Sequence, residues 1–182
     1  MLATDRLIAR AWTLDEPDLA AAYDIYSRPE VARWIGAPME PAEIRLRIER
    51  WAQPTTDPTY GVWAVEERTQ PDRPIGSVLL RPLPPDEEDV EIAWHLHPRL
   101  WGRGYATEIG RAAARRAFET GIDEVFAIVR PGNARSSAVA RRLGMEYVGR
   151  TDKYFGLHAE LFRLRPGDLI SSVELRRTAA NS

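Results

Sequence analysis

Residues 89–118, DVEIAWHLHPRLWGRGYATEIGRAAARRAF, decide the fold. Val90, Ile92, Trp94 and Leu96 alternate with Glu91, Ala93, His95 and His97, the two-residue period of a strand. Pro98 ends that strand, because proline cannot donate to the ladder and disfavours helical geometry at the residue before it. From Tyr105 the period changes. Ala106, Ile109, Gly110, Ala113 and Ala117 recur at three- and four-residue steps, with Arg111, Arg115, Arg116 and Glu119 mostly on the other side. Gly102 and Gly104 join the two elements. A strand that feeds a helix through glycines makes an anion site, since free N–H groups at the helix start point outward and the dipole favours negative charge. Without side chains, the glycines let a phosphate approach the backbone closely.

Three phosphate-binding patterns fit a strand, a glycine turn and a helix. A P-loop requires G-x-x-x-x-G-K-[ST]; here Arg103 and Tyr105 flank the glycines and no lysine follows. A dinucleotide fingerprint requires Gly or Ala where Thr107 stands, and it opens a βαβ domain, whereas half of this chain precedes it. The remaining pattern is R-x-x-G-x-G, matched by Arg99, Gly102 and Gly104. It resembles the coenzyme A pyrophosphate loop of the GNAT superfamily of N-acetyltransferases.

Composition narrows the class. At 182 residues the chain suits one domain with a real core better than two. With 44% hydrophobic and 29% charged residues it reads as an ordinary globular chain. A formal net charge of −2 gives no global basic field, so nucleic acid is not expected as a partner. The absence of cysteine excludes disulfides, cysteine–zinc sites and thiol catalysis, and no metal is expected. No apolar run reaches the ~20 residues of a membrane helix, and MLATDRLIAR does not read as a signal peptide; a cytoplasmic protein is expected.

Along the chain, Arg6–Trp12 reads as a strand and Asp15-Glu16-Pro17 as the start of a helix carrying Leu19, Ala22, Tyr23 and Tyr26. Residues 31–38 read as irregular. Pro41 opens a second helix with Ile44, Ile48 and Trp51 on one stripe and Arg45, Arg47, Glu49 and Arg50 expected mostly outside. Strands follow at 60–66 and from Ile75 to Arg81, then a charged, proline-rich loop, PLPPDEED (82–89). After the central segment, Val125–Val129 is a buried-type strand, Ala134–Leu143 a helix closed by Gly144, and 145–148 and 159–164 two late strands. The expected fold class is mixed α/β, in the order β-αα-βββ-α-β-α-ββ. One domain over 1–168 and a C-terminal extension over 169–182 are expected.

That order is similar to the GNAT order from about Asp5 to Pro166. A second segment agrees: Asn133-Ala-Arg-Ser136 followed by Leu143-Gly144-Met145 resembles the N-x-x-S…L-G-F wording of the family's last core helix. WGRGYATE (101–108) together with NARS is similar to the RimJ/RimL type, which acetylates ribosomal-protein N-termini. The resemblance implies a central, mostly antiparallel sheet of about six to seven strands, splayed between the fourth and fifth, with the pantetheine arm of acetyl-CoA in the gap. It implies acetyl transfer to an amine: a protein N-terminus first, a polyamine or amine-bearing antibiotic next. A coenzyme A-binding regulatory domain with little turnover is the reading from another class. A homodimer is a common state of this fold.

The resemblance also suggests roles. Backbone N–H groups from Gly102 through Arg103, Gly104, Tyr105 and Ala106 to Thr107 would hold the pyrophosphate, with Arg99 and Arg103 adding charge. Asn133 would meet the pantetheine amides. The oxyanion donor would be a backbone N–H near Leu96 and His97. Glu91 is the candidate general base, against a reading in which one of the arginines simply satisfies it; His95 and His97 are further candidates because histidine titrates near neutrality. Many GNAT enzymes carry a tyrosine seven residues after the helix asparagine. Here that position is Ala140, which puts Ser136 forward as the thiolate's partner, against a reading as a helix-start hydroxyl. Trp34, Trp51 and Trp63 fall in the half that forms the family's acceptor wall.

Overall fold

The computed structural model describes residues 1–85 and 87–169. Its strands are β1 (Leu2–Ala3), β2 (Leu7–Ala11), β3 (Gly61–Glu67), β4 (Pro74–Pro82), β5 (Val90–Leu96), β6 (Val125–Val129), β7 (Glu146–Thr151) and β8 (Ala159–Leu164). The helices are α1 (Glu16–Tyr26), α2 (Pro29–Ile35), α3 (Pro41–Ala52), α4 (Tyr105–Glu119) and α5 (Ala134–Leu143). All eight strands form one sheet, in the order β1-β2-β3-β4-β5-β6-β8-β7. The mixed α/β class is as expected; β1, only two residues long, raises the strand count above six or seven. The expected C-terminal extension lies, apart from Leu169, outside the described residues.

Each of α1, α2 and α3 has a proline in its first turn, where a missing N–H costs nothing. The Asp15 side chain caps α1 by accepting from Asp18 N, and Glu40 and Glu43 close a capping box on α3. Residues expected to be irregular begin inside α2. Pro29 serves both as the stop after α1 and as the first residue of this short helix. Asp18 is buried and accepts from both terminal guanidinium nitrogens of Arg10, each at 2.7 Å, which fastens α1 to β2.

The helices cover opposite faces of the sheet. Val90, Ile92 and Leu96 enter a core with Ile109, Ala113, Ala114 and Ala117 of α4 and Ala140 and Leu143 of α5. Gly110 allows this close packing, since a Cβ there would stand 3.2 Å from Leu143 and 3.4 Å from Trp94. The opposite face carries a second core of Trp12, Ile25, Tyr26, Ile44, Ile48 and Ala64 under α1–α3. Arg111, expected to face outward, is buried in α4. Every strand pair is antiparallel except β5–β6, which is parallel and paired only at Glu91↔Phe126. Beyond that pair the two strands separate. This is the splay expected between the fourth and fifth strands of the shorter count.

Candidate active site

The split between β5 and β6 opens into a cavity of about 1110 Å³. Glu91, Ala93, His95 and Leu96 of β5, Ala127 and Val129 of β6, and Asn133, Ser136 and Val139 around α5 all line it. Gly102, Gly104, Tyr105, Ala106 and Thr107 line it at the start of α4. Gly102 and Gly104 have φ of +80° and +78°, backbone that favours glycine, and a Cβ at Gly102 would meet nothing within 4 Å. Gly104 is the N-cap, and the first turn of α4 therefore offers N–H groups without intrahelical partners. A split sheet ending at such a turn fits an elongated, amide-bearing ligand with a phosphate at one end.

The glycine turn is fixed from behind. Arg6 donates to Arg103 O at 3.0 Å and to Glu108 Oε2 at 2.7 Å, and its guanidinium lies 4.6 Å from the centre of the Tyr105 ring. Thr4 donates its hydroxyl to Glu108 at 2.6 Å, and the Tyr105 hydroxyl donates to Glu67. Burial pushes the Glu108 carboxyl up, but Thr4 and Arg6 outweigh it and hold the group below the usual range.

The side chains of three expected cofactor residues are not among the cavity's lining. The side chains of Arg99 and Arg103 are exposed and not part of the lining. His97 turns toward α1, with Nε2 at 3.2 Å from Asp24 and Nδ1 accepting from Arg99 N at 3.1 Å. Its backbone N–H donates to Ile75 O at 2.9 Å, so it is not free to hold an oxyanion. Because bonded residues alternate along an antiparallel pair, that bond turns the N–H groups of Leu96 and Trp94 away from β4, toward the gap. Leu96 O accepts from Trp101 Nε1 at 2.8 Å.

Glu91 stands at the closed end of the split, buried, its Oε2 accepting from Arg81 Nε at 2.8 Å. Its Oε1 makes no hydrogen bond among the described residues. An arginine does meet this glutamate, and the residue still lines the cavity. Asn133 Oδ1 accepts from Ser136 N at 3.2 Å, so Asn133 caps α5 and the Ser136 hydroxyl is not needed as the cap. Ala140, at the usual tyrosine position, is fully buried. His95 packs edge-on against Tyr26, centroids 5.9 Å apart, with Nδ1 buried and unpartnered. Burial, together with the positive charges of Arg47 and Arg81, pushes its imidazole down to about 3. That makes it a weak base at neutral pH.

The cavity's charge was not visible in the motifs. Among the described residues, Arg47, Arg50, Arg81, Arg130, Arg135 and Arg142 line it against one carboxylate, Glu91. Arg47, expected outside, is half-buried and lines the cavity; Arg50, exposed as expected, lines it as well. The signal was present: Arg47 stands three residues after Ile44 and four before Trp51, on their stripe. Of the three tryptophans in the half expected to form the acceptor wall, all expected to serve as core or cleft lining, Trp34 and Trp51 line the cavity. Trp63 instead enters the α4-side core.

Residues 6–146 match the model of the acetyltransferase (GNAT) domain. The chain belongs to the GNAT acetyltransferase family. The uncharacterized N-acetyltransferase YoaA of Bacillus subtilis is 26% identical over 157 residues, covering 85% of this chain and 87% of that one. An acetyltransferase structure from Agrobacterium tumefaciens superposes with a TM-score of 0.74 at 24% identity, covering 90% and 93% of the two chains. The aminoglycoside acetyltransferase AAC(6')-Ib in complex with coenzyme A superposes with a TM-score of 0.69 at 17% identity, covering 95% and 99%. Acetyl-CoA use follows from the family, and the glycine turn and split sheet of this GNAT domain are of the right form to hold it. Among the described residues no cluster of His, Asp and Glu is placed to hold a metal ion, and no helix is long and apolar enough to cross a membrane.

Proposed function

We propose that this GNAT domain transfers acetyl from acetyl-CoA to an α-amine by direct attack within a ternary complex. The observation that carries the reading is the placement of Glu91 at the closed end of the split, lining the cavity that begins at the glycine turn, with only Oε2 bonded among the described residues. Backbone N–H groups of the α4 first turn would hold the pyrophosphate, and the open edges of β5 and β6 the pantetheine amides. Bound acetyl-CoA supplies the thioester carbonyl. Glu91, directly or through a water, takes a proton from the acceptor ammonium, and the neutral nitrogen forms the new C–N bond. The Trp94 or Leu96 N–H, pointing into the gap, stabilises the oxyanion. As the C–S bond breaks, the Ser136 hydroxyl hydrogen-bonds the departing sulfur, which leaves as the thiol with the proton lost from nitrogen.

An α-amine, with a pKa near ~8, gives up its proton more readily than lysine at ~10.4. The surplus of guanidinium charge favours the neutral amine still further. The RimJ/RimL-like wording at 101–108 and 133–136 supports a protein N-terminus as one such α-amine. A polyamine or aminoglycoside would bring several positive charges against six arginines and one carboxylate, which argues against a polycation. Glu91→Gln tests the scheme: kcat/KM at neutral pH should fall on the order of 10²-fold and recover partly at high pH. Rates unchanged at every pH would remove Glu91 as the base. Tight acetyl-CoA binding without turnover of any amine would make the chain a cofactor-binding regulatory domain, the reading that buried Ala140 favours.

A further inference from the structure

On the proposed acceptor side of the cavity, one guanidinium has no ion-pair partner among the described residues. Arg47 extends from α3 between Ile44 and Trp51, half-buried, its guanidinium 5.5 Å from the Trp51 ring. Trp51 stacks edge-on against Tyr26 at 5.5 Å, and Tyr26 against His95 at 5.9 Å, so a continuous aromatic wall links Arg47 to the central strand. Among the described residues Arg47 makes no hydrogen bond and no ion pair. Of the acidic residues on its helix, Glu43 is committed to the capping box through the Glu40 N–H at 2.8 Å, though its charge still acts on Arg47, and Glu49 pairs with Arg45 at 3.1 Å. Arg50, one turn on, also lines the cavity, and its Nε reaches only the Leu46 carbonyl at 3.3 Å. Of the three guanidiniums on this side, Arg81 alone has a carboxylate partner among the described residues, Glu91. A half-buried cation normally finds an anion or hydrogen-bond acceptors, because burial disfavours its charge. Burial and the repulsion of Arg50 and Arg81 act on Arg47 in that direction.

We infer that the acceptor amine carries a carboxylate, and that Arg47, helped by Arg50, receives it while the amine faces Glu91. The inference rests on the acetyl-transfer reading and narrows its substrate class to amino carboxylates. A planar guanidinium matches a carboxylate with two parallel hydrogen bonds, which fixes orientation as well as affinity. The carboxylate comes either from a free amino acid or from an acidic residue at a peptide N-terminus, and the two sources share this chemistry. Neither a polyamine nor an uncharged amine supplies the missing partner.

The test is thiol release from acetyl-CoA with paired acceptors: α-amino acids against their carboxamides, and Asp- or Glu-initiated peptides against the Asn- or Gln-initiated equivalents. The free carboxylate of at least one pair should raise kcat/KM on the order of 10- to 100-fold. The pair that responds names the source. Arg47→Gln should abolish the preference with acetyl-CoA binding intact by calorimetry, and Arg47→Lys should restore part of it. If Arg47→Gln melts early, Arg50→Gln provides the second reading, with a smaller loss of the same ratio. Carboxamides as good as acids, or a preference that survives both glutamine variants, overturn the inference and leave acetyl transfer standing. Absence of acetyl-CoA binding by the wild-type chain overturns both.

Discussion

The two ends of the cavity are built from different materials. At the cofactor end the chain offers backbone: N–H groups after Gly102 and Gly104, and the unpaired edges of β5 and β6. At the acceptor end it offers side chains delivered by separate elements, Trp34 from α2, Arg47 and Trp51 from α3, Arg81 from β4. A site made of backbone needs glycines at fixed spacing, and it leaves a short pattern in the sequence. A site made of side chains needs only that several elements converge, and it leaves none. The same division explains how one fold keeps its cofactor and changes its acceptor.

Substitutions can break or sharpen that contrast. The largest effect is expected at the cofactor end. Gly104→Trp fills the turn and should weaken acetyl-CoA binding about a hundredfold or more, ~2.8 kcal/mol at 1.4 kcal/mol per decade. Gly104→Ala carries the left-handed backbone strain without the bulk, so calorimetry on both separates obstruction from strain. Equal losses would mean that the turn is only a turn.

An intermediate effect is expected where both ends share one strand pair. A Cβ on Gly76 would stand 2.1 Å from His95 O and 2.9 Å from Leu96 Cα. Gly76→Ala must shift β4 against β5 and should cost about 1–3 kcal/mol in urea unfolding. It should also lower turnover with every acceptor alike, unlike Arg47→Gln. A loss confined to one acceptor would show that the ends are less coupled than the shared ladder implies.

Per pH unit, the smallest effect belongs to His95. Its folded pKa is depressed below the unfolded value near 6.5, so its contribution is present above pH ~6.5 and is lost as pH falls toward 3. The slope is at most about 1.4 kcal/mol per pH unit. His95→Gln should therefore flatten the fall in melting temperature between pH ~6.5 and ~5, a window above the ordinary carboxylate titrations. A variant as acid-sensitive as the wild type would show that His95 is not held neutral.

Legibility followed the same division. The strand, turn and helix of 89–118 were readable because a period of two gives way to one of 3.6 across two glycines. Helix α5 was readable from Asn133 to Gly144 because both caps are spelled out. Helix α2 was missed because its seven residues span only two turns and its opening proline also reads as a stop. Arg47 was missed because a charge on an apolar stripe was assigned to the outside by its type rather than by its position. The His97 N–H was offered as an oxyanion donor because sequence gives a strand but not its register. One ladder bond, to Ile75, excludes it.

The single β5–β6 pair at Glu91↔Phe126 has a consequence for folding. A sheet interrupted at its middle leaves two inner edges without partners, where most sheets keep their unpaired groups at the margin. A ligand that fills this seam completes the hydrogen bonding of the native state and has no counterpart in the unfolded chain. It therefore acts as a missing strand, and it raises the stability of the whole domain by mass action, about 2.7 kcal/mol at a hundred times its dissociation constant. With acetyl-CoA in the seam as proposed, the concentration of free cosubstrate would add to the stability of the fold as well as set how fast the domain works.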